Sequence, residues 1–127
     1  HSWVDNGPGW LAVRLRDAET VLALEPDAAA LQGLAVGVLG DHPEGGPADY
    51  EVRAFVSGLG VPEDPVTGSL NAGIGQWLLA EGLASGAWTA AQGTAIGRDG
   101  RIRLEEEDGT LWVGGATRTL VSGTVLL

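Results

Sequence analysis

Residues 69–84 place Leu70, Ala72, Ile74, Trp77, Leu78, Leu79 and Leu83 at nearly every angle of a helical wheel, and no charged residue comes before Glu81. A helix without a polar face has no side to give to water, so the rest of the chain must surround it. Gly73 and Gly75 lie inside this segment, and each costs about 1 kcal/mol relative to alanine in a helix interior. Their presence implies that another element packs closely on the helix backbone. A sheet wrapped around the helix meets both demands.

The remaining sequence supplies strands for such a sheet. Residues 10–15 read as a strand, preceded by Asn6-Gly7-Pro8-Gly9, a cluster that favours a turn and lets a ligand approach the backbone. Residues 17–24 and 26–31 predict two short helical turns, the second opened by Pro26. A short apolar run follows at 34–39, and 41–47 is dense in turn formers. Residues 50–56 alternate between polar and apolar positions, as a strand with one solvated face does. Beyond the central helix, 88–92, 101–105, 110–113 and 117–126 are strand-like, with Asp99-Gly100 and Asp108-Gly109 as hairpin turns between them. The order predicts an α+β fold, a mainly antiparallel sheet curled around a central buried helix, with residues 1–127 as a single domain.

Charge and composition narrow the function classes. Seventeen acidic residues against seven arginines, with no lysine, give a net charge of −10, which repels phosphate backbones and anionic lipid head groups. Nucleic acid and membranes are therefore not expected as partners, and no apolar window reaches the length of a bilayer span. The chain has no cysteine, which removes thiol catalysis, thiolate metal sites and disulfides and permits a cytoplasmic location. It also has no methionine and opens abruptly at His1, so the chain is expected to be a fragment or a processed product. His42 sits in a Pro/Gly loop with no carboxylate at ligand spacing and His1 is terminal, so no metal site is expected. The five tryptophans are not interleaved with basic residues and read as core.

One segment carries chemistry: Pro62-Glu63-Asp64-Pro65-Val66-Thr67-Gly68-Ser69, running straight into the central helix. Pro65 restricts Asp64 to extended backbone and holds its carboxylate in place. Ser69 falls in the first helical turn, whose leading amides have no intrahelical partners, and Gly68 lets a ligand come close. An anion cradle, a hydroxyl and a fixed carboxylate within one turn suit the orientation of an acidic substrate for proton transfer. The alternative is purely structural: Thr67 or Ser69 caps the helix, and Glu63 and Asp64 complement its dipole. Gln92-Gly93, at the end of a strand, is a second candidate for contact with a polar ligand group or a plain turn.

Three stretches together resemble a known family: Glu51-Val52-Arg53-Ala54-Phe55; the run from Gly60-Val61-Pro62 through Ser69-Leu70-Asn71-Ala72; and Ala91-Gln92-Gly93-Thr94-Ala95-Ile96-Gly97-Arg98, with Val113-Gly114-Gly115 also fitting. The chain resembles the PhzF-like proteins of phenazine biosynthesis and their relatives, which share the diaminopimelate epimerase fold. The resemblance covers the whole chain but only the C-terminal half of the family's two-domain protein. It implies two pseudo-symmetric domains, each a sheet around a helix, that clasp a small carboxylate-bearing metabolite and catalyse isomerisation without a cofactor.

By position, Asp64 and Ser69 match the aspartate and serine that assist proton movement and substrate binding in that family, together with the Gly68 amide region, and Thr67 is a further substrate-binding candidate, as Gln92 and Gly93 are separately. Asn6 and Gly7 resemble a substrate-contacting loop at the start of the second domain, although Trp10 stands where the epimerases carry a histidine. The family's principal acid/base, a glutamate, belongs to the N-terminal domain and has no counterpart here, so the chain alone is expected to be inactive. The absence of cysteine separates it from the epimerases proper, whose two-base chemistry uses a thiol from each domain. Expected partners are the N-terminal half, in the same or a separate chain, or a second copy by self-association. The rival reading is a non-catalytic small-acid-binding or scaffold module of the same fold.

Overall fold

The computed structural model of the chain describes residues 1–27, 29–31, 33–56 and 63–126. Gly60, Val61 and Pro62 of the motif and Ala28 of the second predicted helical turn lie outside them. The strands are β1 (Ser2–Asp5), β2 (Gly9–Arg14), β3 (Ala35–Asp41), β4 (Tyr50–Val56), β5 (Glu63–Asp64), β6 (Ala87–Gln92), β7 (Gly100–Glu107) and β8 (Thr110–Gly115). The helices are α1 (Ala18–Leu22) and α2 (Gly68–Ala80), with a 3-10 turn at Thr94–Ile96.

The strands form one sheet in the order β1-β2-β3-β4-β6-β7-β8, with β5 also paired to β4. The β2/β3 and β4/β6 ladders are parallel and the others antiparallel. The sheet is thus mainly antiparallel, as expected, and the two parallel ladders are an addition to that pattern. The reason for them is that α1 lies between β2 and β3, and α2 between β4 and β6, as crossovers that return the chain in the same direction. A further difference is that β1 and the two-residue β5 add strands the sequence pattern does not announce.

The sheet curls into a half-barrel around α2. Leu70, Ile74 and Leu78 share one core with Val4 and Trp10 from one end of the sheet path and with Trp88, Ile102 and Leu104 from the other. The two helical glycines are where the wrap is tightest. A Cβ on Gly73 would lie 2.9 Å from Val4 of β1, and one on Gly75 would lie 2.7 Å from Leu111 of β8 and 2.8 Å from Leu104 of β7. The wrap is incomplete, because Gln76 and Ala80 are exposed and Ser69 and Ala72 half-buried. One stripe of α2 thus stays open, where the helical wheel predicted burial all round.

The helix also stops at Ala80 rather than at 84. Gly82 takes φ +66°, its amide bonds to Leu79 O at 3.1 Å and the Leu83 amide bonds to Leu78 O at 2.8 Å, a Schellman closure that turns the chain out of the helix. On the sheet's other face Val21 of α1 packs with Val36, Val38 and Phe55. Asp17 caps α1 through the Thr20 hydroxyl and amide, and with Arg16 beside it these bonds pull its carboxyl down to about 2.

Other expectations are revised. Among the described residues of 26–31 there is a turn, with the Asp27 carboxylate holding the Ala29 and Ala30 amides, and no helix. Asp108-Gly109 does turn β7 into β8, with φ +50° and +76°. Asp99-Gly100 does not make a hairpin, since Gly100 already belongs to β7 and the turning is done by Gly93 and Gly97. Residues 117–126 form no strand and are exposed. Among the described residues no helix is long and apolar enough to cross a membrane.

Candidate active site

The site forms where one strand edge changes partners. Along its far edge β4 pairs first with β6, through Tyr50, Glu51 and Val52, and then with β5, through Ala54 and Phe55. Arg53 stands at the junction. Its Nε and Nη2 donate to Glu63 at 3.1 and 2.7 Å, and its Nη1 donates to Val21 O at 3.2 Å and Leu24 O at 2.7 Å. The guanidinium also lies over the Phe55 ring, 4.9 Å from its centre. Arg53 and Glu63 are both buried, so the cost of removing these charges from water is met by a bidentate pair and two helix-end carbonyls. Glu63 is thereby anchored toward α1, and strand alternation sends its neighbour Asp64 the other way.

The turn after Asp64 is gripped from behind. Gly93 is buried with φ +88°, and a Cβ there would lie 2.8 Å from the Pro65 carbonyl oxygen, while a Cβ on Gly100 would lie 2.5 Å from Val66. Gln92, with no exposed surface, fills the space between. Its Oε1 accepts from the Thr67 amide at 3.1 Å and from Asn71 Nδ2 at 2.8 Å, and its Nε2 donates to Asp64 O at 2.9 Å and to Thr67 Oγ1 at 3.0 Å. Thr67 Oγ1 donates to Asp64 Oδ2 at 2.6 Å.

Thr67 occupies the cap position of α2 but makes no side-chain cap, because its hydroxyl is spent on Asp64. The purely capping reading of Thr67 therefore fails. At Gly68, the first residue of α2, an added Cβ meets no atom within 4 Å. Neither positive φ nor crowding requires a glycine there. Beside it a cavity of about 240 Å³ is lined by Val66, Gly68, Arg101, Ile102, Val113, Gly114 and Gly115. A larger cavity of about 480 Å³ runs along β7 and β8 between Arg103 and Trp112 and touches none of residues 64–69.

Asp64, Thr67, Gly68 and Ser69 thus share one turn at the mouth of α2. Gln92 and Gly93, a separate candidate in the sequence, lie against this turn but behind it: Gln92 has no free donor or acceptor and Gly93 is sealed by Pro65. Their positions suit holding the turn, not lining an open face. Asn6 and Gly7 are exposed, with the Gly7 amide bonded to Asp5 at 3.0 Å, and no hydrogen bond among the described residues joins them to the turn. Trp10, under that loop, is a core residue.

Sequence reasoning missed Arg53 and Asn71, whose partners Val21, Leu24 and Gln92 lie far along the chain, and Arg101, which lines the cavity beside Gly68 from β7. It also placed no carboxylate near His42, whose Nε2 is 3.0 Å from Glu51 Oε2, both side chains being largely buried. That neighbour comes from the next strand and not from local spacing.

A mixed sheet half-closed around one helix defines the class: an α+β half-barrel domain, with the Asp64 carboxylate, Thr67 and Ser69 gathered at the start of that helix. The comparison with known proteins is specific. Residues 1–126 match the family described as phenazine biosynthesis-like protein, and the chain belongs to that PhzF-like isomerase family. It is 32% identical over 111 residues to an uncharacterised isomerase of Pseudomonas aeruginosa, covering 87% of this chain and 42% of that protein. It is 29% identical to antisense-enhancing sequence 1 of Schizosaccharomyces pombe, covering 94% of this chain and 44% of that one. The crystal structure of a Bacillus anthracis phenazine biosynthesis protein of the PhzF family shares the fold, with TM-score 0.65, 18% identity, and coverage of 86% of this chain and 42% of that one. The chain spans less than half the length of these relatives.

Proposed function

We propose that this chain is the C-terminal half of a cofactor-independent, cytoplasmic isomerase that moves a proton on a small carboxylate-bearing metabolite. The observation that carries the reading is the Asp64 carboxylate, one oxygen tied to Thr67 and the other without a hydrogen bond among the described residues, in the same turn as Ser69 and the open front of Gly68. The substrate carboxylate sits on the leading amides of α2, where backbone N–H groups and the helix dipole favour an anion, with Ser69 donating a hydroxyl hydrogen bond and Arg101, paired with Asp99 at 2.9 Å, on the cavity wall. The complementary half brings the base that takes a proton from a substrate carbon. Asp64 and Ser69 help to return a proton at a different carbon, so that one C–H bond breaks, another forms and no electrons are gained or lost.

The complementary half comes from the rest of a longer chain, from a separate chain, or from a second copy. Exposed Trp3, Trp112, Leu120 and Val125 are consistent with an interface. The test is proton exchange in D₂O, followed by ¹H NMR over small amino, hydroxy and unsaturated carboxylic acids. The chain alone is expected to exchange none of them, and the chain joined to an N-terminal half to exchange at least one. Asp64→Asn abolishes that exchange and Ser69→Ala reduces it. Exchange by the chain alone would refute the assignment of the main base to the missing half. Binding of an acid by the joined protein without any exchange would favour the non-catalytic small-acid-binding module.

A further inference from the structure

We infer that Gln92 is a positioning residue that acts through Thr67 to set the orientation of the Asp64 carboxylate, committing Oδ2 to accept a hydrogen bond and leaving Oδ1 as the oxygen that meets the substrate. The inference rests on the catalytic reading above for the role of Asp64, but its geometry stands on separate observations. Gln92 has no exposed surface and Asn71 only 1%, and neither is explained by the proton transfer itself.

Every donor direction in this network is forced. The Thr67 backbone N–H can only donate, so the Gln92 atom 3.1 Å from it is the carbonyl oxygen. The Asp64 backbone oxygen can only accept, so the Gln92 atom 2.9 Å from it is the amide nitrogen. The two contacts agree and fix the amide without any choice of flip. Asn71 is fixed in the same way. Its Nδ2 faces the Thr67 carbonyl oxygen at 2.9 Å, so its other proton points to Gln92 Oε1 at 2.8 Å.

With one Gln92 Nε2 proton spent on Asp64 O, the second goes to Thr67 Oγ1 at 3.0 Å. Thr67 has a single hydroxyl proton, and it goes to Asp64 Oδ2 at 2.6 Å. The chain Asn71 to Gln92 to Thr67 to Asp64 therefore runs in one direction and ends on a carboxylate oxygen. Oδ2 is an acceptor in this arrangement, and a proton in transit is carried on Oδ1.

Glutamine is the side chain this position requires. Gln92→Glu would set a carboxylate oxygen against the Asp64 carbonyl oxygen, and Gln92→Leu would take one hydrogen bond from each of the Thr67 amide, Asn71 Nδ2, Asp64 O and Thr67 Oγ1. Because either change can cost the fold, Thr67→Val, which keeps the side chain's shape and removes only the hydroxyl, is the cleaner probe, with Thr67→Ser as its conservative rescue.

The test uses the ¹³C,¹⁵N-labelled 127-residue chain in NMR without any ligand. Expected are Gln92 side-chain amide protons that exchange with solvent much more slowly than those of Gln76, an exposed glutamine on the same helix face as Ser69. In Thr67→Val that exchange rises by roughly threefold to tenfold, as the loss of one hydrogen bond gives, and the Asp64 carboxyl ¹³C resonance moves. Thr67→Ser restores both. Gln92 protons that exchange as fast as those of Gln76, or an Asp64 resonance unmoved by Thr67→Val, would overturn the inference. These readouts need no activity, so they separate a failure of the network from a failure of the catalytic reading, which the Asp64→Asn exchange assay decides.

Discussion

Strand β4 and residues 117–126 are both rich in residues that favour extended backbone, yet only one is a strand. From Glu51 to Val56 every residue of β4 is buried, with β3 on one edge and β6 and β5 on the other. In the second stretch Leu120 is 81% exposed and Val121 90%, with no ladder on either side. The difference teaches that a strand is made by its neighbours: extended propensity is a statement about fit to a half-buried pleated surface, and without a partner edge it has nothing to fit. It also shows how β4 can carry Glu51 and Arg53 in the interior, since neighbouring segments bring each of them a partner, His42 and Glu63.

The largest way to break that contrast is to unbalance β4 from within. Arg53→Ala leaves Glu63 buried without its partner and takes the guanidinium donor from the Val21 and Leu24 carbonyls, and a loss of about 3–5 kcal/mol is expected. Urea unfolding would measure it. Replacing Arg53 and Glu63 together by Met and Leu should recover much of the loss, because the pair's worth lies in mutual satisfaction rather than in charge. A double variant no more stable than Arg53→Ala would mean that the α1 carbonyls, not Glu63, dominate.

A smaller effect is expected one strand away. A Cβ on Gly40 of β3 would lie 2.4 Å from the Asp17 carbonyl oxygen, a backbone atom that cannot rotate aside. Gly40→Ala should therefore cost about 1–3 kcal/mol. Gly68→Ala, with open space ahead of it, should leave stability within about 0.5 kcal/mol while weakening the binding of small carboxylates to the joined protein. Thermal unfolding and ligand-induced stabilisation would read the two glycines apart. Equal losses of stability would show that Gly68 is structural after all.

How much of this was legible in the sequence follows the same division. The bounds of β4, the tight wrap at Gly73 and Gly75, and the Asp64-to-Ser69 turn all rest on local pattern: alternation, misplaced glycines, and a proline holding an aspartate before a helix. What was not legible depends on partners distant in sequence. β5 is too short to show a period and exists because Phe55 and Ala54 offer it an edge. Parallel pairing follows from the crossovers, which set direction only once the strands are ordered. Gln92 reads as a possible ligand contact because its bonds to Thr67 and Asn71 span more than twenty positions, and Arg53 reads as a solvated position because Val21, Leu24 and Glu63 converge on it from two other segments.

The smallest expected effect is the one that bears most directly on the contrast. Truncation after Ala116 removes the exposed apolar residues of the tail and no sheet hydrogen bond, so the stability of the chain alone should change by no more than about 0.5 kcal/mol. The amides of 117–126 should exchange with solvent at nearly unstructured rates. Joined to a complementary half, the same amides would become protected if that half supplies the missing edge, and truncation would then weaken the association without loosening this domain. If the tail is protected in the chain alone, or truncation costs more than about 1 kcal/mol, then the segment already has a partner within the half-barrel. In that case β4 and the tail would differ in how much they are paired, not in whether they are.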